Sequence, residues 1–200
     1  MENVDYSLFM QDNSEGDHGK EAMLDYQMSW LMRLAAETKV ENKRLHQISK
    51  EVLLRLIGLL ETPNVDILNV DVWRQWEHID VFAEIKVVVD GETQHHLVVI
   101  EDKAYTMIHD NQLTRYAETV RAYYSGKRKN NYTIHYWVIT FHDEGSDYWK
   151  QLKEDCEKCD IVKWNLLNMY DVIGWRKDKE NDFKNTESDL FDEFWLKKWY

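Results

Sequence analysis

The chain has 200 residues, 44% of them hydrophobic, and a formal net charge of −12, which suits one globular domain with a sizeable core. The acidic balance repels polyanions at long range and excludes a general polyanion binder, although bound cations or a local basic patch would reverse the field where it matters. Seven Gly and a single proline, Pro63, leave little room for a linker, while nine Trp, eleven Tyr and six Phe make the chain strongly aromatic.

No run reaches membrane-spanning length, and the opening MENVDYSLFMQDNSEGDHGK has neither the basic start nor the apolar centre of a secretory leader. A cytoplasmic protein without membrane contact is expected. The only cysteines, Cys156 and Cys159, form a CxxC with no second pair. A closed zinc site would need ligands from elsewhere, and QLKEDCEKCD lacks the strand-then-helix setting of a redox pair, so two reduced thiols are expected.

Within one domain, residues 1–18 read as a flexible arm, 20–60 as a helical N-terminal part, 66–141 as a catalytic core and 142–200 as a C-terminal helical extension. The first helix, 20–38, carries Ala22, Met23, Tyr26, Trp30, Leu31, Leu34 and Ala35 at helical spacing, with Asp17 ahead of it and Glu21 in its first turn. A second, from His46 to Leu60, has the stripe Ile48, Val52, Leu53, Leu56 and Ile57. Around their junction lie Arg33, Lys39, Lys43, Arg44, His46, Lys50 and Arg55, interspersed with Glu37, Glu41 and Glu51. They form either an ordinary charged face or the one early region able to meet a phosphate backbone.

Residues 65–78 are strand-like. Over 79–89, Ile79, Val81, Ala83, Ile85, Val87 and Val89 share one parity while Asp80, Phe82, Glu84, Lys86 and Val88 share the other. Asp90-Gly91 is a tight-turn signal, so the next strand, about 95–103, returns antiparallel. A third helix, about 111–124, would be capped by Asn111 and packed through Leu113, Ala117, Val120 and Tyr124. Lys127, Arg128 and Lys129 form a basic loop beyond it. The aromatic run 132–141 predicts a strand covered on both faces and parallel to the one before the helix.

A helix over 147–158, a short strand over 161–164 and a short helix over 165–175 follow. After a polar break, Leu190 to Tyr200 offers Phe191, Phe194, Trp195, Trp199 and Tyr200 for docking onto the domain or a partner. A homodimer through this segment is among the expectations.

Chemistry concentrates between Trp76 and Tyr116. Parity puts Glu101 and Lys103 on one strand face, and the hairpin brings Asp80 to the same sheet end. Gln112 and Tyr116, four apart, share a helix face beside them. Phosphodiester hydrolysis needs an activated water and neutralised phosphoryl oxygens. Asp80, Glu101 and the carbonyl of Asp102 offer oxygen ligands to Mg²⁺ or Mn²⁺, Lys103 a fixed positive charge, and Gln112 and Tyr116 hydrogen bonds that orient the lysine or the phosphate. A solvated strand terminus would read the same way.

These residues, in IDVFAEI, LVVIEDKAYT and NQLTRYAE, resemble the PD-(D/E)XK nuclease superfamily over about residues 21–141, and within it a subgroup of bacterial and phage proteins with a helical N-terminus. There an Asp on the second core strand precedes Glu-x-Lys on the third and a helix bearing Gln and Tyr. Ile79 stands where the motif usually has Pro, and the last third of the chain matches nothing in the pattern. The resemblance implies a restriction-endonuclease-like α/β fold, a mixed sheet flanked by helices on both faces, and a Mg²⁺- or Mn²⁺-dependent nuclease acting on DNA. It implies Asp80 and Glu101 as metal ligands, with Asp102 and the helical Glu21 as further contributors, and Lys103, Gln112 and Tyr116 as catalytic. Lys39, Lys43, Arg44, Lys50, Arg115, Lys127, Arg128 and Lys129 are the candidate nucleic-acid contacts. An RNA-directed nuclease with the same site and an inactive interaction module on the same fold are the alternatives.

Overall fold

The turn at Asp90-Gly91 sets the sheet. Asp90 at φ 48 and Gly91 at φ 86 both take the left-handed backbone that a two-residue hairpin needs. A computed structural model describes residues 6–10, 19–104, 106–127, 131–174, 186–197 and 199. In it the turn joins β2 (Ile79–Val89) to β3 (Glu92–Lys103), antiparallel and in register from Val89↔Glu92 to Val81↔Ile100.

The remaining strands are β1 (Val65–Trp76), β4 (Tyr132–Thr140) and β5 (Trp164–Asn168), giving one mixed sheet in the order β1-β2-β3-β4-β5. β1 pairs antiparallel with β2, with a bulge between Ile67 and Asn69. The β3–β4 and β4–β5 pairs are parallel, as helical crossovers require. Consequently β3, β4 and β5 all end at the same edge, where β2 begins.

Helices cover both faces. On one side α1 (Lys20–Ala36), α2 (Lys43–Leu56), α5 (Met169–Val172) and the C-terminal α6 (Asp189–Phe191) pack with Val70, Val72, Val81, Ala83, Val98 and Ile100. On the other, α3 (Gln112–Lys127) and α4 (Asp147–Lys158) pack on Phe82, Leu97, Val99, Tyr136 and Val138. This is the α/β three-layer arrangement expected, and β4 is covered on both sides, with Trp137 in one core and Tyr136 in the other.

Several elements shift. The buried face of α1 is Leu24, Met28, Leu31, Met32 and Ala35, with Asp25, Gln27 and Ser29 alongside, whereas Ala22 and Tyr26 face solvent. The helix is apolar almost all round, so its periodicity does not single out one stripe. α2 starts three residues earlier than expected because Asn42, not His46, governs its N-terminus, accepting from the Leu45 amide at 2.9 Å. Asp17 lies outside the described residues, and Gly19 occupies the N-cap of α1. Asn111 stands at φ 52 immediately before α3. Of the strand expected over 161–164 only Trp164 lies in β5, which runs on through residues 165–168, expected in a helix.

The arm is held where it is described. Glu193 accepts from Ser7 Oγ and the Leu8 amide, both at 2.9 Å, and Met10 enters the core. Phe191, Phe194 and Trp195 are wholly buried against α1, α2 and the sheet. Of the two uses expected for this segment, these three rings take the inward one and complete the chain's own core. Tyr200 lies outside the described residues.

Candidate active site

The site forms where β2 starts and β3 ends. Val81 pairs with Ile100, so one step further along the antiparallel ladder sets Asp80 beside Glu101. Glu101 shares the α3-side parity of Leu97 and Val99, and Asp80 lies close enough for the two carboxyl groups to hydrogen-bond one another. Asp80 Oδ2 also accepts from the Asp102 amide at 2.9 Å, which ties the start of β2 to the end of β3.

Glu101 is nearly inaccessible, at 1% exposure, yet strongly engaged. Its Oε1 meets Lys103 Nζ at 2.5 Å and accepts from Gln112 Nε2 at 2.6 Å. Gln112 also donates to the Tyr116 hydroxyl at 2.8 Å, so the first turn of α3 fixes the carboxylate and the lysine together. Burial first, and Asp80 second, push the Glu101 carboxyl up to about 9. Burial works to lower the Lys103 ammonium, but Glu101, joined by Asp80 and Glu21, acts against it and the group ends above its ordinary value. Burial also raises Tyr116.

The other face of β3 holds a second group of acids. Asp102 points toward α1, where it meets Asp25; Asp25, Asp80 and Asp102 each offer an oxygen within 4.8 Å of the others. Burial followed by Asp80 raises Asp25 to about 6, and the same two causes raise Asp102 well above the usual carboxylate range. Asp25 Oδ1, Asp102 Oδ2 and Glu101 Oε2 are buried without a hydrogen-bond partner among the described residues. Asp25 and Asp102 belong to this group while Glu101 lies on the opposite face of β3, and buried carboxylate oxygens left unpaired are costly unless a proton or cation joins them. An all-oxygen donor set of this kind suits a hard divalent cation.

Gln75 completes the group, its amide donating to Asp25 Oδ2 at 3.1 Å and Asp80 Oδ1 at 2.9 Å. Neither Asp25 nor Gln75 is among the residues expected from the sequence. Asp25 carried a signal, an acid one turn after Glu21 beside the apolar Leu24 and Met28. Gln75 carried none. Glu21 itself accepts from the Ala104 amide at 2.7 Å and the Thr106 hydroxyl at 2.9 Å, holding the chain as it leaves β3. The α1 acid that meets Asp80 and Asp102 is Asp25.

Of the basic candidates, Arg115 lies in the first turns of α3, exposed and next to Tyr116. Lys39 and Lys43 are also exposed, but they flank the far end of α1, roughly 17 Å along its axis from Asp25; Arg44 follows Lys43, and Lys50 is half-buried midway along α2. Arg33 and Arg55 bond the carbonyls of Val72 and Val172 at 2.5 Å each, which is structural work. The side chain of Lys127, with Arg128 and Lys129, lies outside the described residues. Cys156 and Cys159 are free and buried, burial pushes the Cys156 thiol up to about 12, and neither joins a metal-binding group among the described residues.

A three-layer α/β fold with carboxylates and a lysine gathered at the carboxyl edge of its parallel strands defines a nuclease-like class. The chain belongs to the PD-(D/E)XK nuclease superfamily, whose family model matches residues 6–195. Among solved structures it is similar to the MspJI restriction endonuclease in complex with a 27-mer oligonucleotide, at 13% identity and a TM-score of 0.37, covering 96% of this chain and 39% of that one. So loose a likeness transfers nothing from that complex, and the chain spans well under half of that protein's length. A search of curated proteins finds no match.

Proposed function

We propose that the chain hydrolyses phosphodiester bonds in nucleic acid, DNA before RNA, with Mg²⁺ or Mn²⁺ as cofactor. The observation that carries this reading is the meeting of Asp80, Glu101 and Lys103 at one sheet edge, with the orphaned oxygens of Glu101, Asp25 and Asp102 around them. Asp80, Glu101 and the Asp102 carbonyl would hold the cation, and the Asp25 and Asp102 carboxylates lie within reach of it. A bound cation supplies Lewis acidity toward the phosphoryl oxygens and lowers the pKa of a coordinated water.

The chain's own groups do the rest. Lys103, kept charged by Glu101, presents a positive charge where the phosphate and its attacking water meet. Gln112 and Tyr116 hold Glu101 in place, and Arg115 supplies a phosphate contact next to them. The acids would repel a phosphate backbone when no cation is present, so substrate binding and cation binding are coupled.

A DNA cleavage assay in Mg²⁺ and Mn²⁺ tests the reading. Lys103→Ala should lower the rate about a hundredfold or more, the usual loss when a charge aimed at the reacting phosphate is removed. Equal background cleavage by both proteins would sink it. The same assay on RNA decides between the two substrates.

A further inference from the structure

Flat aromatic rings that take no part in the carboxylate cluster lie exposed beside it. Trp73 and Tyr123 are each 42% exposed, and Trp76 sits half-buried between them. Trp76 stacks on Phe82 at 4.5 Å and 28°, Tyr123 meets Trp76 edge-on at 5.2 Å, and Trp73 lies 5.9 Å from Phe82. Phe82 is buried beneath them and steadied by Tyr124 at 5.9 Å. The patch therefore has a fixed floor and three rings at its surface.

Its assembly depends on a break in strand alternation. Val70 and Val72 face the α1-side core, and Trp73, across from Phe82, faces α3. Strict alternation would send Trp76 to the α1 side with Arg74, which lies over the Tyr26 ring. Gln75 adopts a left-handed backbone, φ 56, a conformation that costs a non-glycine residue energy and persists where its surroundings hold it. The break puts Trp76 beside Trp73 and turns the Gln75 amide to Asp25 and Asp80. One residue thus builds the aromatic pair and braces the catalytic acid.

The patch is continuous with the site. Trp76 pairs with Ile79, the neighbour of Asp80. On α3, Gln112, Tyr116 and Tyr123 follow one helical face, which spans roughly 16 Å from the amide that holds Glu101 to the exposed ring.

We infer that Trp73, Trp76 and Tyr123 form a stacking site for the unpaired bases of a single-stranded nucleic acid running toward Asp80. This inference rests on the nuclease reading for its direction, while the binding itself is independent of cleavage. Charge argues for this occupant. The chain carries −12, and Asp71 and Glu77 are exposed on the same strand and its turn. A duplex lying across the face would press its phosphates onto them. A single strand turns its bases to the rings and its phosphates to solvent. Stacking on flat rings contributes attraction of its own and accepts any base.

The test uses the full chain carrying Lys103→Ala, so that bound strands stay intact, and reads the anisotropy of labelled oligonucleotides. Added Trp73→Ala or Tyr123→Ala should each weaken binding of a short single strand about fivefold or more. The loss should be alike for DNA and RNA of one sequence, with Trp73→Phe retaining most of the affinity. Melting temperatures control for folding, and if an alanine variant unfolds, quenching of indole emission by the oligonucleotide in the unmodified chain, diminished in Trp73→Phe, reads the same contact. Unchanged single-strand affinity in folded variants overturns the inference. So does duplex binding as tight as, and weakened equally with, single-strand binding, or self-association that disappears with Tyr123→Ala while single strands do not bind. Because cleavage is not read, failure here and failure of the nuclease reading are separate results.

Discussion

At the scale of single residues, two acids on α1 do different work. Glu21 accepts two hydrogen bonds from the chain leaving β3, and Asp25 faces Asp80 and Asp102 with an unpartnered oxygen. Glu21→Gln should therefore lower stability by about 1–2 kcal/mol in a denaturant melt, the cost of weakening charge-assisted bonds to a partly buried backbone, and leave cation affinity largely unchanged. Asp25→Asn should do the reverse, weakening Mn²⁺ binding several-fold in calorimetry without comparable loss of stability in EDTA, because it relieves carboxylate crowding. Equal cation affinity in wild type and Asp25→Asn would remove Asp25 from the ligand set. The sequence made Asp80, Glu101 and Lys103 legible because strand parity and a hairpin turn fix their faces. Asp25 was obscured because its position depends on how α1 lies across the sheet, which no local pattern encodes.

Elements show where local rules hold and where packing overrides them. β2 runs over the expected residues because its β-branched run ends in the Asp90-Gly91 turn, and α4 because Ser146 caps it, accepting from the Trp149 amide at 3.1 Å. α2 is set by Asn42, whose Nδ2 also donates to the Thr186 carbonyl at 2.6 Å, so Asn42→Ala should cost about 1 kcal/mol or more in a thermal melt. At the sheet end away from the site, β3 and β4 share a histidine pair, the buried His96 and the half-buried His135, whose Nδ1 and Nε2 lie 3.0 Å apart. Burial, and then His96, pushes His135 from its ordinary 6.5 down to about 4, and burial with His95 lowers His96. Between those limits the unfolded chain binds a proton that the folded one refuses, so this pair's contribution to stability falls as pH drops from 6.5 toward 4. The raised Asp25 and Glu101 act in the opposite sense. The pair is therefore isolated by comparison: His135→Gln should lose less stability than wild type between neutral and acid pH, and parallel curves would contradict the assignment.

For the whole molecule, the two ends of the chain meet and close the core. Glu193 holds Ser7 and Leu8, and Trp195 lies at 0% exposure among α1, α2 and the sheet, so Trp195→Ala should cost about 3–5 kcal/mol. The aromatic C-terminal run was visible in the sequence, yet whether it docks inward or on a partner depends on which faces of α1 and α2 remain to be covered, and only the assembled layers answer that. What the assembled layers enclose at one sheet end is a group of acids with one lysine, all but Asp80 buried, and carboxylate oxygens that have no hydrogen-bond partner among the described residues. Titration of Mn²⁺ into the metal-free chain by calorimetry measures this directly, against Asp80→Asn. The account predicts saturable binding by the wild type and a loss of about tenfold or more in Asp80→Asn; no binding at millimolar Mn²⁺, or binding indifferent to Asp80→Asn, would contradict it.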